Sequence, residues 1–162
     1  MSEALRDTDF AVPTDDRYFE DYVAGESHEY GHETLTEAQI LDFARLYDPQ
    51  PIHTDLDYAA KGPFDGLIAS GAQTLAIMMR LYVTHYLSHA ASLASPGMDE
   101  LRWPRPVRPD DSLWLRATVL DTRRSQSKPD RGVVRTAIEL FNQHGDPVLT
   151  TTAVNFLSLR NP

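Results

Sequence analysis

The chain has 162 residues, 41% of them hydrophobic and 24% charged, with a net charge of −9 and no cysteine. That length and balance suit one soluble globular domain. The acidic excess argues against a general nucleic-acid binder, which needs a basic face. The absence of cysteine excludes disulfides, thiolate metal sites and a cysteine nucleophile.

Met1–Asp9 is polar and mostly acidic and lacks the apolar stretch of a signal peptide. The longest apolar-rich stretch, Leu67–Leu87, is interrupted by Gln73, Arg80 and His85, so it does not read as a membrane span. A cytoplasmic protein is the expectation. Residues 1–16 carry no periodic pattern and read as a flexible leader, with a single domain over 17–162. Tyr18, Phe19 and Tyr22 suggest a short turn on the core surface. Residues 26–35 read as the first strand, with His28, Tyr30, His32 and Thr34 on one face.

Thr36 with Gln39 has the spacing of a capping box, and Ile40, Leu41, Phe43, Ala44 and Tyr47 follow a helical period. Pro49 ends that helix at Asp48. Pro49 and Pro51 bias Asp48 and Gln50 toward extended backbone, so a stiff link should carry an acid at 48 and an imidazole at 53. Thr54 with Asp57 predicts a short helix over 55–60. A long helix is expected from Ile68 or Ser70 to about His89; at about 20 residues it would span roughly 30 Å. Residues 90–97 read as a loop, followed by strands over 98–103, 112–122, 133–142 and 148–159. Asn142–Asp146 supplies a hairpin turn with glycine in place. A strand, helices and then consecutive strands define an α+β domain with the long helix against an antiparallel sheet.

The run Asp48-Pro49-Gln50-Pro51-Ile52-His53-Thr54-Asp55, with Ala59 and then Gly66-Leu67-Ile68-Ala69-Ser70, resembles the hydratase motif of the MaoC-like dehydratase family. The resemblance covers most of residues 17–160. It departs from the family pattern at Gln50, where asparagine is common, at Tyr47, where glycine is usual, and at Asp65, where many members have histidine. It implies the hotdog fold, a curved antiparallel sheet wrapped around a long central helix, usually in a homodimer. It also implies reversible syn-addition of water to a 2-enoyl-CoA, giving a 3-hydroxyacyl-CoA. Asp48 and His53 would share the reacting water, and the backbone N–H of Gly66 would hold the thioester oxygen. No metal or cofactor is expected beyond the CoA or acyl-carrier portion of the substrate, and neither nucleic acid nor membrane is an expected partner. A non-catalytic acyl-thioester-binding module and a thioesterase are the alternatives.

Other residues read more plainly. Asp55 and Asp57 suit a cap and a solvated face. His85 and His89, four apart, suit an exposed helix end better than a zinc site. Ser70 lacks the frame of a nucleophile elbow and reads as helix packing. Arg102, Arg105 and Arg108 could meet CoA phosphates, or simply be solvated on a proline-rich connection.

Overall fold

The computed structural model describes residues 10–162. Five strands form one antiparallel sheet in the order β1-β3-β4-β5-β2: β1 Ser27–Thr34, β2 Ser92–Arg102, β3 Ser112–Arg124, β4 Arg131–Phe141 and β5 Pro147–Ser158. Four helices lie between β1 and β2: α1 Glu37–Tyr47, α2 Pro51–Thr54, α3 Leu56–Ala60 and α4 Gly71–Leu81.

Alternation along the strands builds the core. On β4, Val134, Thr136, Ile138 and Leu140 are buried, and on β5 Thr151, Ala153, Asn155 and Leu157 are buried. Because side chains alternate across a strand, these sets share the face toward α4, where Met78, Leu81, Tyr82 and Tyr86 meet them. The polar members are matched: the Tyr82 hydroxyl donates to Asn155 Oδ1 (2.7 Å), and the Tyr86 hydroxyl bonds Thr136 Oγ1 (2.8 Å). The sheet thus wraps a buried helix, as expected.

That helix is shorter than predicted. α4 stops at Leu81, one π-helical turn covers Tyr82–Tyr86, and Leu87 is extended. Arg17 explains the end. Its guanidinium donates to the carbonyls of His85 (2.9 Å) and Tyr86 (2.7 Å), which have no acceptor role left inside the helix.

The leader also needs correction. The predicted flexibility of residues 1–9 lies outside the described residues, but Phe10 stacks on His28 (4.1 Å) and Thr14–Asp16 forms a 3₁₀ turn. Phe19 and Tyr22 are in the core rather than on its surface; Phe19 fits because Gly132 has no side chain to meet its ring. On β1, a bulge between Gly31 and Glu33 breaks the predicted face, so His28 and Tyr30 are buried while His32 is exposed. β2 begins six residues before the predicted strand. Its pairing with β5 is interrupted by three register shifts, one of them across Pro96 and Gly97, the two residues that give it the look of a loop in sequence.

Candidate active site

The acid sits where α1 ends. The Thr36–Gln39 capping box starts that helix as predicted, and the Asp48 N–H closes it by donating to the Ala44 carbonyl (2.9 Å). Asp48 itself has left the helical region (φ −151°, ψ 69°), as a residue before proline must. Gln50 is extended too, but Pro51 then begins a single helical turn, α2. Proline is favoured at a first helical position because its missing N–H has no intrahelical partner to lose. His53 therefore projects from a helical turn, not from the extended link that the two prolines suggested. Asp55, not Thr54, caps α3 by accepting the Tyr58 N–H (3.0 Å).

His53 is 5% exposed, and its Nδ1 lies 2.8 Å from the Ile68 carbonyl. A carbonyl only accepts, so Nδ1 carries hydrogen and Nε2 is left facing the acid. Nε2 stands 3.5 Å from Asp48 Oδ2. Two donors hold the carboxylate: the Ser70 hydroxyl donates to Oδ2 (2.6 Å) and Gln50 Nε2 donates to Oδ1 (2.7 Å). The bond from Ser70, followed by that from Gln50, holds the Asp48 carboxyl below the usual carboxylate range. Asp48 is thus a fixed anion beside an imidazole.

The pair opens into a cleft of about 390 Å³ whose walls include Phe64, Ile68, Thr74, Trp103 and Val107. A larger cleft, about 450 Å³, lies between Arg123, Lys128 and Phe156; no carboxylate or histidine lines it, so it offers no acid–base pair. Trp103 closes one side of the first cleft by donating from Nε1 to the Gly71 carbonyl (3.1 Å). Its ring lies so near that a Cβ on Gly71 would come within 2.9 Å of Cε2. Of the three arginines of the proline-rich connection, Arg105 borders the cleft. It is paired loosely with Asp146 (3.6 Å), whereas Arg108 donates to the Phe64 carbonyl (2.6 Å) and Arg102 to that of Leu101.

Gly66 does not meet the expectation placed on it. Its N–H is already given to the Ala59 carbonyl (3.1 Å), it is not among the residues lining the cleft, and α4 begins five residues later. Its φ of +146° marks it instead as the residue that lets the chain turn between α3 and α4. The glycine at the helix start is Gly71. As the first residue of α4 its N–H has no acceptor inside the helix, and no hydrogen bond among the described residues uses it.

Ser70 and Trp103 were missed as site residues by sequence reasoning. A serine directly before a helical run is a cap signal, and Ser70 does accept the Ala72 N–H (3.2 Å). Its second bond, to an acid 22 residues away, has no local signature. The remaining candidates fall outside the site: His85 stacks on Tyr30, and His89 pairs with Asp15 (3.4 Å). Among the described residues no group of three or more His, Asp or Glu side chains is arranged to hold a metal ion. No helix among them is long and apolar enough to cross a membrane.

An antiparallel sheet wrapped around a central helix, with an acid–imidazole pair hydrogen-bonded to the serine that caps that helix, is a hotdog-fold architecture. The family model described as "MaoC like domain" matches residues 23–140, and the chain belongs to that family. Among solved structures, a MaoC-like dehydratase from Rhodospirillum rubrum is 37% identical with a TM-score of 0.83, over 90% of this chain and 99% of that one. The R-hydratase PhaJ1 from Pseudomonas aeruginosa is 28% identical with a TM-score of 0.70, over 87% of this chain and 84% of that one. A 3-hydroxyacyl-thioester dehydratase Z of Mycobacterium tuberculosis is 40% identical over 76 residues, which are 46% of this chain and half of that protein.

Proposed function

We propose that the protein reversibly adds water to the double bond of a 2-enoyl thioester, giving a 3-hydroxyacyl thioester. The observation that carries this reading is the pair itself: Asp48 Oδ2 and His53 Nε2, 3.5 Å apart on the lining of a cleft that Gly71, the first residue of α4, also lines. Relatives named for hydratase or dehydratase chemistry support the same reaction class.

Hydration needs a nucleophilic oxygen at the β-carbon and a proton at the α-carbon. A water set between the two side chains can supply both. Nε2 takes one proton from this water while the oxygen bonds to the β-carbon. The π-electrons move toward the α-carbon and the thioester oxygen, and the proton on Nε2 is then delivered to the α-carbon from the same side. Asp48, held as an anion by Ser70 and Gln50, accepts a hydrogen bond from the water's second O–H, which stays on the oxygen as the product hydroxyl, and stabilises the transient imidazolium. Negative charge on the thioester oxygen calls for a preorganised donor. The N–H of Gly71 supports that role because it is at a helix N-terminus and uncommitted, whereas that of Gly66 is committed to Ala59. No step requires a metal or a cofactor. Dehydration is the same path reversed.

The thioester can be carried by CoA or by an acyl carrier protein, and the working unit in this reading is a homodimer. The bulged edge strand β2, with Leu93 exposed, is an edge that a second copy can cover. Light scattering should give twice the chain mass; a monomer sinks the dimer. The activity is tested by following the absorbance of crotonyl-CoA and longer 2-enoyl-CoAs. The wild type should remove the conjugated band and the Asp48→Asn variant should not. Persistence of the band at every chain length with the wild type would overturn the reading.

A further inference from the structure

We propose that Ser70 is a positioning residue for the reaction: through its one hydroxyl it locks the Asp48 carboxylate to the start of α4, so that the acid and the Gly71 N–H keep a fixed relation. The proposal rests on the hydratase reading above.

The polarity of the Ser70 hydroxyl follows from its two bonds. Its oxygen accepts from the Ala72 N–H (3.2 Å), and an N–H can only donate. The hydroxyl hydrogen is therefore free to point elsewhere, and Asp48 Oδ2 lies 2.6 Å away. Ser70 is fully buried, so no water competes for that hydrogen. Oδ2 must act as acceptor, which suits the ionised acid. With Gln50 on Oδ1, each carboxylate oxygen has its own donor, and Oδ2 still lies 3.5 Å from the imidazole.

The residues around Ser70 extend this role. Two positions earlier, the Ile68 carbonyl orients the His53 ring (2.8 Å), and one position later comes Gly71. Between them, the Ala69 N–H donates to the Val107 carbonyl (2.8 Å), which anchors the segment to the connection leading into β3. One run of four residues, Ile68–Gly71, thus touches the base, the acid and the thioester-oxygen donor. Ser70 is its link to the acid. In this arrangement the serine does what a hydrogen-bonding support does for any reacting side chain: it removes freedom that the carboxylate would otherwise have to lose on the way to the transition state.

Helix capping alone would also bury a serine here, so the test must separate the two. Glycine is an acceptable cap but has no hydroxyl, so Ser70→Gly removes the bond to Asp48 while largely sparing the helix. We expect kcat to fall on the order of 10²-fold with KM within about twofold of wild type, the pattern of lost orientation. Ser70→Thr, which retains the hydroxyl, should recover most of kcat. Two further readouts do not depend on turnover. In a carbon-13 carboxyl titration, the Asp48 signal should titrate below ordinary aspartates in the wild type and move up toward them in Ser70→Gly. In urea unfolding, the midpoint lost by Ser70→Gly and Asp48→Ala together should be smaller than the sum of their separate losses. An unchanged Asp48 titration, additive midpoints, or a rate loss appearing wholly in KM would each overturn the positioning role. If the wild type hydrates no enoyl thioester, the functional reading fails alone, and the titration and the unfolding cycle still decide whether Ser70 holds Asp48.

Discussion

Replacing Asp48 by Asn separates chemistry from stability more cleanly than any other change at the site. The carboxylate accepts from Ser70 at Oδ2 and from Gln50 at Oδ1. Asparagine offers one oxygen and one NH₂ in the same space. Ser70 cannot reverse its hydroxyl without abandoning the Ala72 N–H, so the new amide must turn its oxygen toward Ser70 and its NH₂ toward Gln50. The Gln50 bond is exposed, and its amide can flip to present its own oxygen. What remains lost is the charge on the Ser70 bond. Bonds to charged groups contribute about 1.5–3 kcal/mol against about 0.5–1.5 for neutral ones, so the variant should lose roughly 1 kcal/mol. For a chain of this size that lowers Tm by about 2–4 °C. A domain stabilised by about 5–15 kcal/mol stays folded after such a change. The rate should nevertheless fall by about 10²–10⁴, the usual contribution of a positioned acid–base group. Thermal melts and the absorbance assay on the same preparation read both numbers. Hydration by Asp48→Asn at a rate near wild type would refute the role given to Asp48. Loss of activity together with a collapse in Tm would refute the claim that its role is chemical rather than structural.

The two glycines make opposite predictions. Gly66→Ala forces a side chain onto a φ of +146°, which costs about 1–3 kcal/mol, but the nearest foreign atom to the new Cβ is Arg108 Nη1 at 3.6 Å, so kcat of the folded enzyme should hold. Gly71→Ala meets Trp103 at 2.9 Å and must push the indole off the cleft wall; Tm should move little while kcat/KM falls by roughly tenfold or more. The reverse pattern would return the thioester-oxygen role to Gly66. On pH, the Asp48 carboxyl is lowered on folding, first by Ser70 and then by Gln50. Its contribution is complete above the unfolded value of about 3.9 and is lost as pH falls through the lower folded value. Urea stabilities of wild type and Asp48→Asn should therefore converge as pH drops below about 4, and a gap that widens there would contradict the sign. Finally, Thr36→Ala removes the capping box of α1 at a cost of about 1 kcal/mol, measurable by thermal melts; kcat/KM should be unaffected, since Thr36 touches nothing in the cleft.

Most of the sheet was legible in the sequence because β3, β4 and β5 alternate over most of their length and Gly145 marks the turn between the last two. β2 was only half legible: Pro96 and Gly97 within it are loop signals, and its pairing with β5 is a contact 48 to 65 residues away that composition does not record. The length of the central helix was misjudged for a related reason. Nothing in Leu81–Leu87 forbids more helix; the terminus is set by Arg17, which lies 68 and 69 residues from the carbonyls it binds.

The site divides along the same line. Asp48 and His53 were legible because five residues and two prolines decide their relation locally. The donor for the thioester oxygen was not, because two glycines five positions apart both stand near the start of an apolar run. Sequence spacing cannot say which N–H is free. In the reading proposed above the role falls to Gly71, because Ala59 accepts the N–H of Gly66 and Ser70 caps the helix so that Gly71 comes first. Both facts depend on how α3 and α4 meet in space. The acid–base pair is therefore a property of one short segment, whereas its registration against the substrate's carbonyl is a property of the fold. A single change at Ser70 tests that distinction, because it leaves the segment from Asp48 to His53 intact and alters only what holds it to the helix.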